Sequence, residues 1–342
     1  MIPQSQKYAN HLFHLAQMEI LAANMSQSST THMNCTELIK QNKKAGGLEF
    51  AVRFFEHTTY WKTYSHLDPG EEDIFSFLSI WKCANNQLRS FLEQIFPGED
   101  FKQQVRFKDR HEKFPEANNN KQGHGLSECI LAVIRDPIAH FLSGYNEIEY
   151  RIRSKEPRRP VAQKWPFGGQ PEGSIERFEQ FVADLLTCPI GKKLPGIINA
   201  GAIRKLELEH LYSMTGVLRL LDKDDSVTRS NRNFHYLPSL KNLNETWGPF
   251  VVSSCPRSFS NTTKTKLLTT PMITESGKHE SSGDPHGTYK SAKLVWKHGG
   301  PTAKALCAIH LMDYACWQDL PDGVPRLCMD LYVDYHRRNL LL

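Results

Sequence analysis

The sequence lacks several signatures that would assign a function directly. It contains no Gly-x-x-x-x-Gly-Lys-Ser/Thr string, the usual phosphate loop of nucleoside-triphosphate enzymes. It also has no Cys-x-x-Cys pair or Cys/His spacing typical of a zinc site, and no internal repeat. The stretch 12–23 is too short and too polar to cross a membrane, which needs ~20 apolar residues. Either an anchor precedes this sequence or the protein is soluble.

An excess of charge of one sign is missing as well. The 42 Lys and Arg residues against 37 Asp and Glu residues give a net charge of +5, which is modest for a nucleic-acid binder. We therefore expect no nucleic-acid partner. Basic residues cluster in one loop, at Arg151, Arg153, Lys155, Arg158, Arg159 and Lys164. This loop is either a rim that attracts an anionic acceptor or a solvated surface.

Cysteines are present but show no spacing that fixes their pairing. We expect two of the eight, Cys83 in a polar loop and Cys129 beside a buried strand, to be unpaired. The other six permit up to three disulfides: Cys35, Cys188, Cys255, Cys307, Cys316 and Cys328. Asn-x-Ser/Thr acceptor triplets, usable only in a secretory compartment, begin at Asn24, Asn34, Asn244 and Asn261.

Length and composition are compatible with one large α/β domain. The chain has 342 residues, of which 39% are hydrophobic, enough for a sizeable core. Residues 1–47 are predicted to be a polar, poorly ordered leader or stem, and 48–342 the α/β domain. The segment 256–287 is rich in Ser, Thr, Lys, Gly and Pro. This composition predicts a mobile insertion, which either covers a ligand site as a lid or has no role.

The most informative stretch begins at residue 130. The apolar residues 130–134 have the length and the β-branched content of a buried parallel strand. Arg135 follows at its carboxyl end, Asp136 can cap a helix, and Pro137 suits the first helical turn. Ser143 lies on the same helix face as Asp136, so it looks back toward the arginine. This pattern predicts a phosphate site, although a surface turn with a local ion pair is the alternative.

A second strand, loop and helix lie upstream. The apolar run 75–80 predicts a strand, and 88–96 predicts an amphipathic helix. Between them stand Lys82, Cys83, Ala84, Asn85, Asn86 and Gln87. A lysine and exposed N–H groups at a helix start form an anion cradle. A purely structural polar loop is the alternative.

Together these elements resemble the sulfotransferases that use 3′-phosphoadenosine 5′-phosphosulfate (PAPS), in particular the membrane-associated carbohydrate sulfotransferases. The resemblance implies that the Lys82 loop binds the 5′-phosphosulfate and that Arg135 and Ser143 bind the 3′-phosphate. The segments 210–216 and 240–247 are similar to a short His-containing loop and to a late Leu- and Trp-containing segment of that family. The implied fold is α/β, a P-loop-like three-layer fold with a central parallel sheet flanked by helices.

The loop departs from the family pattern, which usually has glycine and a Ser/Thr pair there. This chain has residues 84–87, Ala-Asn-Asn-Gln, instead. Asparagine tolerates left-handed backbone angles, and its amide can donate to phosphate oxygens as a hydroxyl does. The substitution is thus compatible with donor binding, but it leaves a non-catalytic member of the fold as an open alternative.

Catalysis would require a cation at the bridging oxygen and a base for the acceptor proton. Lys82 is the predicted cation. Families of this type take the base, a His or Glu, from beyond the second strand, which we place at 103–108. His111, Glu112 and His124 are therefore the candidate bases, with a solvated loop as the alternative for each.

The function predicted from the resemblance is sulfuryl transfer from PAPS, with no metal required, to a hydroxyl or amine, with carbohydrate as the expected acceptor. The same resemblance favours the Golgi lumen or secretory pathway, with the cytoplasm as the alternative. A P-loop-like phosphotransferase or hydrolase is the other enzyme class. That class would carry a Ser/Thr after the loop lysine and a strand-end Asp for Mg²⁺, whereas Cys83 follows Lys82 here. The oligomeric state is open.

Overall fold

The structure is a computed structural model of the chain. It describes residues 60–80, 82–97, 102–107, 127–155, 170–187, 208–211, 214–215, 217, 232–272, 284, 286–310, 313–314, 317 and 320–330. The chain divides into two compact units. One contains 58–135 and 217–280 and carries the sheet; the other contains 136–216 and 281–342, together with 1–57, and is helical where it is described.

A five-stranded mixed sheet forms the first unit. Its strands are β1 Tyr60–His66, β2 Asp73–Ser79, β3 Lys102–Phe107, β4 Ser127–Val133 and β5 Arg232–Leu237. The spatial order is β3-β1-β2-β4-β5. Neighbours β2, β4 and β5 are parallel, whereas β1 is antiparallel to both β2 and β3. The class is therefore α/β, and the expectation of a parallel sheet holds for β2, β4 and β5 but not for β1.

The longer helices within the described residues are α1 Asn85–Ile95, α2 Pro137–Lys155, α3 Ile175–Thr187, α4 Leu243–Ser254, α5 Asn261–Thr269, α6 Thr288–His298 and α7 Pro301–Ile309, and Leu208–Leu211 forms a short 3-10 helix. In the first unit, α1 and α4 cover one face of the sheet. Leu88, Phe91 and Leu92 recur at helical spacing on α1 and are buried against alternate residues of the strands, such as Phe77 and Leu131.

The helical unit has a charged pair in its core. Arg177 on α3 donates through Nε and Nη2 to the two carboxylate oxygens of Glu149 on α2, at 2.8 and 2.9 Å. Both side chains are buried. Gly144 on α2 lies so close to the carbonyl of His210 that a Cβ there would overlap it. Small size at this position is thus what allows the two segments to pack.

Several predicted elements are confirmed. The strands expected at 75–80, 103–108 and 130–134 are β2, β3 and β4, each within a few residues. The helices expected at 88–96 and after Pro137 are α1 and α2. The segment 256–287 contains α5, whose Leu267 is buried, so this part is helical; the mobility of the segment stays a prediction.

Two disulfides are present among the described cysteines. Cys129 pairs with Cys255 and Cys307 pairs with Cys328. The prediction that Cys129 is unpaired is wrong, because the end of α4 delivers Cys255 to the start of β4, 126 residues away in the chain. Cys83 is buried and lies outside both disulfides, as expected. Cys35, Cys188 and Cys316 lie outside the described residues.

A carboxylate anchors α5 to the turn between β1 and β2. The Ser260 N–H donates to Oδ2 of Asp68 at 2.9 Å. Burial on its own would raise the pKa of Asp68, but hydrogen bonds from Thr263 and Ser260 and the charge of His66 outweigh it and lower the pKa. A carboxylate whose pKa is lower in the folded state than in the unfolded state stabilises the fold at pH values above its unfolded-state pKa. This stabilisation is lost as the pH falls through the folded-state pKa.

We expect Asp68→Asn to lower the free energy of unfolding by about 1 kcal/mol at neutral pH, because it removes a charged helix-end acceptor. The difference from wild type should shrink as the pH falls below ~4, the ordinary aspartate pKa. Urea unfolding across pH 2–7 measures this, with the exposed Glu179→Gln as control. A difference that stays constant with pH would contradict the account.

Candidate functional site

The candidate site is the carboxyl edge of the three parallel strands. Because β2, β4 and β5 run in the same direction, their ends lie at one edge of the sheet, where α/β proteins place ligands. Lys82 follows β2, Arg135 follows β4, and residues 238–242 follow β5. The Ile134 N–H donates to the Leu237 carbonyl at 3.0 Å and extends the pairing of β4 and β5 to this edge.

The loop after β2 has an uncommon backbone. Lys82 and Ala84 have φ values of 61° and 57°, in the left-handed region that glycine occupies easily. The Cys83 N–H donates to the Ile80 carbonyl at 3.2 Å and closes the turn. Each non-glycine residue held this way costs of order 1–3 kcal/mol, and such strain occurs preferentially at functional sites. The asparagines of this stretch do not take these angles, because α1 already begins at Asn85.

The start of α1 faces this loop without a side-chain cap. Ala84 precedes the helix and offers no capping hydrogen bond. The first N–H groups of a helix have no partner within it and carry the positive end of its dipole. Both amide atoms of Asn85 are also buried and have no hydrogen-bond partner within the described chain. This helix start therefore has the donors and the dipole of an anion site.

Arg135 connects the two elements that the sequence singled out. Its Nη1 donates to the carbonyl of Lys82 at 3.1 Å, across 53 residues of sequence. A guanidinium has five N–H donors in a planar fork, and the bond to the loop uses one of them; groups of this type bind anions through several donors at once. Both residues are partly buried. The geometry places a lysine, an arginine and a helix start within one small region.

A second helix start lies at the same edge. Asn242, with φ 53°, precedes α4 and offers no side-chain cap. Oδ1 of Asn244, in the first turn of α4, accepts a hydrogen bond from Nε2 of Gln87 in the first turn of α1 at 2.9 Å. Behind them Trp247 packs edge-on against Phe77. The segment 240–247, singled out by its resemblance, thus lies beside the Lys82 loop.

The remaining predicted residues divide into two groups. Ser143 lies on α2 and is partly buried. The candidate bases His111, Glu112 and His124 lie in 108–126, outside the described residues, so these assignments stay predictions. Arg151, Arg153 and Lys155 were expected in a basic loop, but they lie in α2, and the basic residues beyond Lys155 lie outside the described residues.

Other histidines within the described residues are relevant to the identity of the base. His140 and His210 are buried. His235 lies on β5, opposite Leu131 of β4. The sequence did not single it out as a candidate site residue. Burial lowers the pKa of His235, which keeps its imidazole neutral near pH 7.

Asp136 is confirmed as the residue that caps α2. Its Oδ1 accepts the Ala139 N–H at 2.7 Å. Its Oδ2 accepts the hydroxyl of Tyr314 at 2.7 Å, a partner 178 residues away that the sequence did not indicate. Both carboxylate oxygens of Asp136 are therefore used within the protein.

The residue next to Tyr314 fixes a second segment. Oδ1 of Asp313 accepts the Thr215 N–H at 2.9 Å, and Oδ2 lies 3.0 Å from Nδ1 of His310. The His310 ring packs edge-on against Phe141 of α2. All four side chains are buried, so this is a structural clamp on the segment around Thr215.

The described ranges contain neither a metal-binding cluster of side chains nor a helix able to span a membrane. No group of three or more His, Cys, Asp and Glu side chains there could hold a metal ion. None of the helices that the structure describes has the length and apolar character of a membrane span.

The fold and the site define an α/β protein with a cationic edge formed by two uncapped helix starts, a lysine and an arginine. Comparison with models of protein families gives no match. Comparisons with curated proteins and with solved structures also give no match. Function must therefore be argued from the site.

Proposed function

We propose that this protein is a sulfotransferase of P-loop-like fold that moves the sulfuryl group of PAPS to a hydroxyl or amine of an acceptor. The observation that carries the proposal is the hydrogen bond from Arg135 to the Lys82 carbonyl. It joins the two segments that the resemblance assigns to the two ends of one donor, and it joins them at a strained loop beside an uncapped helix start.

The electrostatics of this edge suit an anionic nucleotide. Two helix starts each contribute roughly half a positive charge, and Lys82 and Arg135 each add a full one. The donor carries a 3′-phosphate and a 5′-phosphosulfate, both of which favour planar forks and backbone N–H donors. The buried Asn85 amide supplies a further donor without a protein partner among the described residues. The assignment of Ser143 to the 3′-phosphate rests on the resemblance.

The proposed chemistry assigns one task to each group. The bond between sulfur and the bridging oxygen of the 5′-phosphate breaks while the acceptor oxygen or nitrogen bonds to sulfur. Charge grows on the bridging oxygen, where the Lys82 ammonium stabilises it, and the acceptor proton passes to a base. His111, Glu112 and His124 remain the proposed bases.

Two observations favour this chemistry over Mg²⁺-dependent phosphotransfer. The residue after Lys82 is the buried thiol of Cys83 rather than a metal-binding hydroxyl. Asp136, the acidic residue after β4, uses both carboxylate oxygens for the α2 cap and Tyr314. The remaining alternative is a non-catalytic protein that kept the fold but lost donor affinity, and a measurement of donor binding separates it from an enzyme.

The compartment and the acceptor are separate parts of this proposal. The two disulfides are compatible with an oxidising compartment, and we propose the Golgi lumen or the secretory pathway. The proposal that the acceptor is a carbohydrate rests on the family resemblance, because acceptors bind to loops, and these loops vary among proteins that share one fold. A screen of glycan acceptors with labelled donor would test this part separately.

Arg135→Ala tests the donor site. We expect binding of 3′-phosphoadenosine 5′-phosphate (PAP) to weaken by about 10- to 100-fold, because a charged hydrogen bond is worth about 1.5–3 kcal/mol. Ser143→Ala should weaken it less. Arg257→Ala is the matched control: this arginine pairs with Asp73 at the opposite end of β2, 3.2 Å away, so its loss should not change PAP affinity. Equal affinity in Arg135→Ala and wild type would exclude the site.

A further inference from the structure

Two Asn-x-Thr acceptor triplets lie within the described residues, and the structure treats them differently. Asn244 and Asn261 are both exposed. Their surroundings differ in two respects: whether the amide is used by the fold, and how far it lies from the candidate site. These differences determine which asparagine can carry a glycan in the folded protein.

The Asn244 amide belongs to the candidate site. Its Oδ1 accepts the Gln87 side chain at 2.9 Å, which joins the first turns of α4 and α1. A glycan on Nδ2 of Asn244 would place a bulky, hydrated chain beside the Lys82 loop. Oδ1 would still be able to accept the Gln87 hydrogen bond, but the glycan would obstruct the edge at which a ligand must enter.

The Asn261 amide is not needed by the fold. The start of α5 is held by the Ser260 Oγ, which accepts the Thr263 N–H at 3.3 Å, and by Asp68, which accepts the Ser260 N–H. Asn261 itself contributes its backbone carbonyl, which accepts the Thr265 hydroxyl at 3.0 Å. No hydrogen bond to its amide occurs within the part of the chain that is described. Nδ2 can therefore be modified without loss of a contact.

Asn261 also lies far from the candidate site. The neighbouring Arg257 carbonyl accepts the N–H of Asp73, the first residue of β2, whereas Lys82 follows the last. Seven residues of strand separate these edges, about 20 Å at 3.3 Å per residue. A glycan at Asn261 would project from the opposite edge of the sheet and leave the Lys82 loop accessible.

We infer that Asn261 carries an N-linked glycan and that Asn244 does not. In the modification, Nδ2 of Asn261 bonds to C1 of the first sugar of a lipid-linked oligosaccharide diphosphate. The bond from C1 to the diphosphate oxygen breaks, the amide loses one proton, and the lipid diphosphate leaves. The disulfide at Cys255, six residues before Asn261, is compatible with the same oxidising compartment. The inference does not depend on which nucleotide the site binds.

The test is peptide mapping of the full chain produced in cultured animal cells. Enzymatic release of N-glycans in ¹⁸O-water converts each modified asparagine to labelled aspartate. We expect label at Asn261 and none at Asn244. Asn261→Gln should lose one glycan, and Asn244→Gln, the matched control, should lose none. An unlabelled Asn261, or label at Asn244, overturns the inference.

A second measurement separates this result from the proposed function. PAP affinity of Asn261→Gln should equal that of wild type, because Asn261 lies at the opposite edge of the sheet. A changed affinity would contradict the placement of the glycan away from the site. Failure of wild type to bind PAP would instead overturn the proposed function, and the mapping result would stand on its own.

Discussion

We expect Lys82→Ala to lower kcat for sulfuryl transfer by about 10²- to 10³-fold while changing the donor Kd far less. The ammonium is proposed to meet charge that is complete only as the sulfate leaves, so its loss weakens the transition state more than the ground state. Alanine is the informative replacement because it keeps the cost of the left-handed φ at this position, which glycine would relieve.

Single-turnover kinetics with separate measurement of donor binding would check this expectation. Lys266→Ala is the matched control, since Lys266 is an exposed lysine on α5 of the same unit. If Lys82→Ala kept the wild-type kcat, another group would have to stabilise the charge on the bridging oxygen. A loss of binding equal to the loss of kcat would make Lys82 a ground-state ligand instead.

Removal of the Cys129–Cys255 disulfide should give the largest loss of stability. The bond closes a loop of 126 residues. The chain-entropy estimate for such a loop is about 5 kcal/mol, and measured losses for native disulfides are usually ~2–5 kcal/mol. We expect the double variant Cys129→Ala/Cys255→Ala to unfold at a much lower urea concentration. Removing Cys307–Cys328, with a separation of 21 residues, should cost less.

Cys83→Ala is the control for these variants, because Cys83 is buried in the same unit but lies outside both disulfides. It should lower the free energy of unfolding by on the order of 1 kcal/mol, because it leaves only a small cavity. Peptide mapping without reductant should recover Cys129 linked to Cys255. Recovery of Cys129 as a thiol, or of Cys83 in a disulfide, would contradict the pairing.

The strands and helices beside the site are predictable from local pattern. β4 is a continuous apolar run, and α2 begins with Asp136 and Pro137, so burial and capping chemistry act within a few residues. β5 is not predictable in this way, because Asn233 is exposed, residues 234–237 are only partly buried, and polar and aromatic types alternate over 233–236. Its place in the sheet comes from pairing with β4.

Contacts between segments that are distant in the chain cannot be predicted from a single sequence. The Cys129–Cys255 disulfide, the Gln87–Asn244 hydrogen bond and the Tyr314–Asp136 hydrogen bond each join segments more than 100 residues apart. They arise from strand register and helix packing, which local patterns do not encode. The left-handed angles of Lys82 and Ala84 are similar: neither residue type signals them, and they follow from the abrupt turn between β2 and α1.

Calorimetric titration of the full chain with PAP, in parallel with ATP·Mg²⁺, tests the central claim most directly. The account predicts saturable binding of one PAP, independent of Mg²⁺ and at least about tenfold tighter than ATP·Mg²⁺, since the 3′-phosphate adds at least one charged hydrogen bond. Absence of PAP binding, or tighter Mg²⁺-dependent binding of ATP, would contradict it.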